Sequence, residues 1–359
     1  MQKRKKTTNA SSTKKSKRKS NGGGKSGRAA KGHKKTGLKM ARAQSAGGAA
    51  DGSGIKKPRA SIESDAPIQE CPTNKIAGMP PSPLAYYGGK SKLAATIVSL
   101  FPPHKTYVEP FFGGGSVFFA KPPSDVEVIN DLDGDLINFF RVARNEKQCA
   151  QLMALLALTP LSRKEFADCV EALRAERWKN ILERAWMYFV AIRQGHRGIA
   201  RWASNWSSSK TKSTSGMSGL ARTWMRLPER IAIAGLRLRA AQIECKPWQF
   251  VLDKYETEAT LAYLDPPYLH ATRKPGNRNS YHHEMTEGDH ARLLLRLREY
   301  KGKIVLSGYA SRLYDELLSG WRRIEIETYC SASNKGNKND AKRTEVLWLN
   351  YTPPAADAA

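Results

Sequence analysis

The chain has 359 residues, 60 of them Lys or Arg and 33 Asp or Glu, for a formal charge of +27 at pH 7. Residues 1–59 hold 19 basic side chains against the single acid Asp51, a balance of +18, which leaves +9 for residues 60–359. No apolar run approaches the roughly 18 residues of a membrane span, no charged-then-apolar leader opens the chain, and Cys71, Cys149, Cys169, Cys245 and Cys330 form no CxxC pair, so membrane spanning, signal-peptide secretion, a zinc ribbon and a dense disulfide framework are not expected.

Residues 1–80 are built from Lys, Arg, Ser, Thr, Gly and Ala without apolar periodicity, too little apolar surface to offset the entropy of ordering, and read as a disordered basic tail. Two readings of it stand: a polycation that condenses onto nucleic-acid phosphates, or a solubilising or localising extension. In residues 81–145, a glycine loop, SPLAYYGGKSK, leads into a helix LAATIVSLF that stops before Pro102 and Pro103. TYVEP reads as a buried strand, FFGGGSVFFA as a strand-to-helix turn, and VEVIND as a second strand, followed by a helix over 136–144.

Residues 146–240 switch to helical periodicity in QLMALLAL, KEFADCVEALRAERW and KNILERAWMYFVAIRQ, followed by the acid-free polar segment GHRGIARWASNWSSSKTKSTSGMSG. Alternation resumes in residues 241–352 with strands QIEC and LAYL, the turn DPPY, a basic loop to Glu284, a helix over 287–300, strand KIVLSG, short helix SRLYDELL, and strands RRIEIETY and RTEVLWLN. Strands alternating with helices predict an α/β fold, a doubly wound, mostly parallel Rossmann-like sheet with a helical insertion.

Three segments fall at ends of predicted strands, where such sheets bind ligands. Glu109 precedes Phe111, Phe112 and three consecutive glycines, Gly113 to Gly115, which let backbone approach a ligand closely. There is no GxxxxGK[ST] pattern, and an acid at the strand end repels phosphate; an acid with a glycine turn suits the ammonium and sulfonium of S-adenosylmethionine. Asp131, at the end of the second strand, can accept both hydroxyls of a ribose; the plainer alternative is that Asp131, Asp133 and Asp135 cap the next helix. Asp131 is expected to face the ligand and Asp135 to serve in capping or solvation. Asp265, Pro266, Pro267 and Tyr268 form a rigid extended turn offering two acceptors and an aromatic ring, suited to the planar exocyclic amine of a nucleobase, although DPPY also occurs as an ordinary turn.

These motifs in this order resemble the Dam-type DNA adenine N6-methyltransferases, the alpha group of amino-methyltransferases found in bacteria and phages, over about residues 83–350. The resemblance implies a methyltransferase that flips adenine out of double-stranded DNA and transfers a methyl group from S-adenosylmethionine to N6. It implies that 81–145 form the cofactor-binding part, 146–240 the target-recognition insertion and 241–352 the catalytic part. It further implies that Glu109, Phe111, Gly113 and Gly115 shape the cofactor pocket, that Asp131 holds the ribose, and that Tyr86 and Lys90 line the amino-acid end. Asp265 and the Pro266 carbonyl would accept the N6 hydrogens, with Pro267 stiffening the turn and Tyr268 stacking on the base. One departure is plain: where the family often carries an Asp for the cofactor's adenine amine, this chain has Lys246, Pro247 and Trp248.

Arg193, Arg197, Arg201, Lys210 and Lys212 in the insertion, and Arg273 and Lys274 after DPPY, are candidate phosphate contacts, joined by His196 and Arg278. Tyr281 matches a tyrosine that the family keeps near the opened DNA, with loop packing as its alternative. Trp202 and Trp206 are candidates for wedging or for packing. The histidines lack ligand spacing, and no metal is expected. The remaining expectations are a monomer, in the cytoplasm of a bacterial or phage-infected cell, associated with nucleoid DNA. Methylation of RNA or another amine, and a DNA-binding protein without turnover, remain the rival functions.

Overall fold

A computed structural model of the chain describes residues 82–86, 88–196, 198, 200–201, 205–208, 213–214, 217–273, 281–329 and 342–354. The basic tail, Arg197, Trp202, Lys210, Lys212, Lys274 and Arg278 lie outside these residues.

In chain order the elements are α1 (Ala94–Ser99), β1 (Thr106–Glu109), α2 (Ser116–Ala120), β2 (Val126–Asn130), α3 (Gly134–Ala143), α4 (Glu146–Leu158), α5 (Arg163–Arg174) and α6 (Ile181–Gln194). The two-residue strands β3 (Ser213–Thr214) and β4 (Met217–Ser218) pair antiparallel, and α7 (Gly219–Met225) and α8 (Leu227–Leu238) follow. The chain continues through β5 (Gln242–Glu244), α9 (Trp248–Tyr255), β6 (Thr260–Leu264), α10 (Glu287–Arg298), β7 (Lys303–Gly308), α11 (Arg312–Leu317), β8 (Arg322–Tyr329) and β9 (Lys342–Leu349).

Seven strands form one sheet in the order β5-β2-β1-β6-β7-β9-β8. The first five are mutually parallel, while β9 runs antiparallel to both β7 and β8. This confirms the mostly parallel α/β sheet and adds an antiparallel strand inserted between two others. The central strands carry helices on both faces, which is why β6, TLAYL, is buried at every position and reads as a continuous apolar run. The direction of winding reverses between β1 and β6, so a crevice opens beyond their C-terminal ends.

Helix starts follow local capping chemistry. Ser162 accepts from the Glu165 amide, Asn180 from the Glu183 amide, and Thr286 with Asp289 forms a reciprocal capping box at α10. Helix α9 had no counterpart among the sequence expectations; its apolar side, Trp248, Val251 and Leu252, is buried.

The helical segment is less separate than its sequence period suggested. Phe139 and Phe140 of α3 belong to one core with Phe189 of α6, Trp224 of α7 and Leu238 of α8. Arg237 of α8 forks onto Glu127 of β2, whose carboxylate also takes Lys121 Nζ at 2.5 Å, and the guanidinium lies 3.9 Å from the Phe118 ring centre. A Cβ on Gly235 would meet the Ala143 carbonyl at 2.1 Å. Helix α8 is therefore tied to the sheet through Glu127 of β2.

Candidate active site

The β1-to-α2 turn is built by glycines in the left-handed region, Gly113 at φ 49° and Gly115 at φ 66°. Side chains crowd it: a Cβ on Gly115 would stand 2.3 Å from the Phe112 ring, and one on Gly113 would stand 3.0 Å from Tyr86. Asp131, just past β2, fixes the turn by accepting from the Gly113 amide through Oδ2 at 2.8 Å and from the Asp133 amide through Oδ1 at 2.9 Å. Each oxygen retains acceptor capacity for a ligand. Burial, helped by the charge of Asp133, pushes the Asp131 carboxyl up to about 6.

Asp133, not Asp135, caps α3, accepting from the amides of Asp135 at 2.9 Å and Leu136 at 3.3 Å. Asp135 is buried and bound by Arg184 at 2.7 Å and Arg201 at 2.5 Å, which corrects its expected capping or solvating role. A carboxylate taken out of water needs such partners, and two guanidinium groups hold it below its ordinary value against the opposing effect of burial.

Glu109, Asp131 and Asp265, from the ends of β1, β2 and β6, line a single cleft of about 1180 Å³, partly open to solvent. Tyr86, Lys90, Phe111, Gly113, Gly115 and Tyr281 line it too. Glu109 is buried and accepts from the Tyr107 hydroxyl at 2.7 Å; burial raises its carboxyl well above the usual range in spite of that bond. Asn130 braces the far side, donating to the Pro110 carbonyl at 2.9 Å and the Lys246 carbonyl at 3.0 Å and accepting from the Lys246 amide at 2.9 Å. Pro247 and Trp248, at the position of the missing acid, border the cleft beside Gln249, and Trp248 is also part of the core.

At the DPPY turn, Lys90 Nζ lies 2.7 Å from both carboxylate oxygens of Asp265, bridging 175 residues of sequence. It is also 3.3 Å from the Gly88 carbonyl, 3.6 Å from Glu345 Oε1 and 4.9 Å from the centre of the Tyr268 ring. The Tyr268 hydroxyl donates to Glu345 Oε1, and its ring meets Tyr309 edge-on at 4.5 Å. Pro266 is buried; the cleft wall includes Asp265 and Pro267 but not Pro266 or Tyr268. Burial opposes the Lys90 ammonium, yet Asp265 and Glu345 outweigh it and raise its pKa. Burial also raises both carboxyls, which Lys90 only partly offsets, because one ammonium faces two acids. Sequence reasoning missed Glu345; the available signal was a lone acid in the apolar strand TEVLWL.

The described basic candidates are mostly engaged within the protein. Arg201 binds Asp135 and Glu176, and Arg273 binds Glu284 at 2.8 and 2.9 Å and donates to the Tyr268 carbonyl, tying the segment after DPPY to the segment before α10. Arg193 is half-buried, and burial with the neighbouring Arg230 lowers it to about 10. Tyr281 stands over the glycine loop: a Cβ on Gly88 would meet its hydroxyl at 2.8 Å. Trp206 packs, donating to Gln194 at 3.2 Å under the guanidinium of Arg163. Among the described residues no His, Cys, Asp and Glu group of metal-holding geometry occurs, and no helix is long and apolar enough to cross a membrane.

Comparison with known proteins agrees with this geometry. Residues 86–331 match the model of the D12 class N6 adenine-specific DNA methyltransferase family. The chain is 26% identical over 273 residues to the Type II methyltransferase M1.LlaDCHI of Lactococcus lactis subsp. cremoris, covering 74% of this chain and 93% of that protein. It is 23% identical over 305 residues to the Type II methyltransferase M.MjaIII of Methanocaldococcus jannaschii, covering 75% and 98% respectively. It is 24% identical over 255 residues to the DNA N-6-adenine-methyltransferase of Escherichia phage P1, covering 70% of this chain and 33% of that protein. With the glycine turn, Asp131 and DPPY all inside the matched span and converging on one cleft, the chain belongs to the D12 class N6 adenine-specific DNA methyltransferases.

Proposed function

We propose that the cleft holds S-adenosylmethionine and that Asp265 receives the amine of an adenine flipped out of double-stranded DNA. The observation that carries this reading is the convergence of Glu109, Asp131 and Asp265 on one cleft at the switch point of the sheet. The charge of the wall supports the cofactor: among the described residues, Glu109, Asp131, Asp133, Asp265, Glu284 and Asp289 outnumber one lysine, Lys90, an environment that favours a sulfonium and an ammonium and disfavours a polyphosphate.

When bound, the cofactor supplies an electrophilic methyl group. The protein's part is placement. Asp131 accepts the ribose hydroxyls with the capacity its two amide bonds leave, the glycine turn lets backbone approach, and Tyr86, Phe111 and Gly115 close the wall. Asp265 and the Pro266 carbonyl accept the two N6 hydrogens, localising the nitrogen lone pair towards the methyl group, and Asp265 lies where positive charge develops. Pro267 keeps the turn extended and Tyr268 abuts the base. Because N6 of a stacked base cannot reach the cleft, the base turns out of the helix.

Residues 146–240 act in target recognition, and Arg193, Arg197, Arg201, Lys210, Lys212, Arg273, Lys274 and Tyr281 are assigned to the DNA side; those already paired to acids contribute by holding loops in place. The protein works as a monomer in the cytoplasm, on nucleoid or phage DNA. Asp265→Ala tests the assignment: methyl transfer should fall at least roughly a hundredfold, with S-adenosylmethionine affinity within a few-fold of the parent. Turnover at the parental rate would remove Asp265 from the chemistry.

A further inference from the structure

Glu345 lies on β9, far in sequence from every motif discussed above, yet it is 4% exposed and faces the catalytic turn. It accepts the Tyr268 hydroxyl, and the same oxygen, Oε1, is 3.6 Å from the Lys90 ammonium that occupies both oxygens of Asp265. Each oxygen of Asp265 keeps capacity for an N6 hydrogen, but an ammonium fixed on the carboxylate offsets its charge and opposes the positive charge that develops on N6.

We propose that Glu345 is a positioning residue for methyl transfer: it draws the Lys90 ammonium off Asp265 as adenine's amine arrives, while it holds the Tyr268 hydroxyl. The inference rests on the assignment of Asp265 as the amine's acceptor. A displacement of Nζ by roughly 0.8 Å closes 3.6 Å to an ammonium–carboxylate hydrogen bond. Lysine has three donors, so Nζ keeps a contact to the Gly88 carbonyl, now at 3.3 Å, throughout the exchange.

The charge count favours the same arrangement. With both carboxyls ionised, Lys90, Asp265 and Glu345 together carry one net negative charge; without Glu345 they carry none. In the step itself the N6 lone pair forms the new N–C bond, and the S–C bond breaks with its electron pair remaining on sulfur. The positive charge moves from sulfur to nitrogen until an N6 proton leaves by way of Asp265 or water. A site with one excess negative charge stabilises that charge where it arrives.

The test is single-turnover methylation of DNA from pH 5.5 to 9 at saturating S-adenosylmethionine, on the parent, Glu345→Gln, Glu345→Asp and Asp265→Asn, with dissociation constants for cofactor and DNA measured alongside. Glu345→Gln retains an acceptor for the Tyr268 hydroxyl and removes only the charge. Its rate should fall roughly 10- to 100-fold, with both dissociation constants within threefold. Its acid limb should move to lower pH, because Asp265 then keeps Lys90 to itself and loses a neighbouring negative charge. Glu345→Asp, with the charge restored, should recover most of the rate, and carries the test alone if the glutamine variant does not fold. Parental rate and pH profile in Glu345→Gln, with Asp265→Asn inactive, would overturn this inference alone; an active Asp265→Asn would overturn the reading beneath it. A loss of rate matched by a loss of cofactor affinity would make Glu345 structural and would equally refute the proposal.

Discussion

Replacing Asp131 by Asn keeps the shape of the side chain and removes its charge and one acceptor. In the protein, Asp131 accepts from the Gly113 and Asp133 amides, one through each oxygen, and its remaining capacity points into the cleft. Asparagine supplies one acceptor oxygen and turns an NH2 towards the other amide, so one turn bond and one ribose bond are lost together. Only the ribose bond enters the affinity, because the turn bond is missing from free and bound protein alike; a hydrogen bond to a charged acceptor contributes about 1.5–3 kcal/mol, so S-adenosylmethionine binding weakens roughly 10- to 150-fold. The pH dependence has a definite sign. Burial raises this carboxyl to about 6, and only the carboxylate accepts two hydroxyls, so parental affinity should be full above that pH and decline below it. Glu109 and Asp133, whose carboxyls burial also raises, are present in both proteins, so the difference between the two profiles reports the loss of Asp131. Isothermal titration with S-adenosylmethionine from pH 5 to 8 reads both effects. A variant that binds within threefold of the parent at pH 7.5, with the same profile, would refute the ribose assignment.

Two further outcomes follow from charge. Glu127→Gln leaves Lys121 and Arg237 buried without their carboxylate, a loss of about 3–5 kcal/mol. This should lower the melting temperature by roughly 6–20 °C in a circular-dichroism melt; a shift below about 2 °C would contradict it. Burial favours the neutral form of Glu127, but the two cations outweigh burial and hold its carboxyl below the ordinary value. Its stabilisation is therefore present at neutral pH and is lost as pH falls through that lowered value. Removing residues 1–59 takes away a net charge of +18, so the slope of log affinity for nonspecific DNA against log salt should fall by several units in a salt titration; an unchanged slope would exclude the tail from DNA binding.

The parts of the site that the sequence disclosed are those fixed within a few residues. An acid at the end of an apolar run lands at the mouth of a parallel sheet, and three glycines after Glu109 give the left-handed turn. Both statements need only local geometry. The resemblance placed both Lys90 and Asp265 at the site but did not pair them; their contact, across 175 residues, is seen only in the structure. Glu345 was hidden because an acid in an edge-like strand is usually solvated, and only the insertion of β9 between β7 and β8 turns it onto the DPPY turn. Helix α8 shares its period with the helices before it, and the ion pair of Arg237 with Glu127, 110 residues away, is invisible to any local pattern. Counting basic residues overstated the free cationic surface, since Asp135 and Glu284 claim Arg201 and Arg273.

The central claim is methyl transfer to N6 of adenine in DNA. The full chain, supplied with S-adenosylmethionine and separately with unmethylated plasmid DNA and with RNA, should yield N6-methyl-2′-deoxyadenosine in the mass spectrum of the digested DNA and no methylated nucleoside from the RNA. A methyl group on RNA alone, or on cytosine in place of adenine, would contradict it.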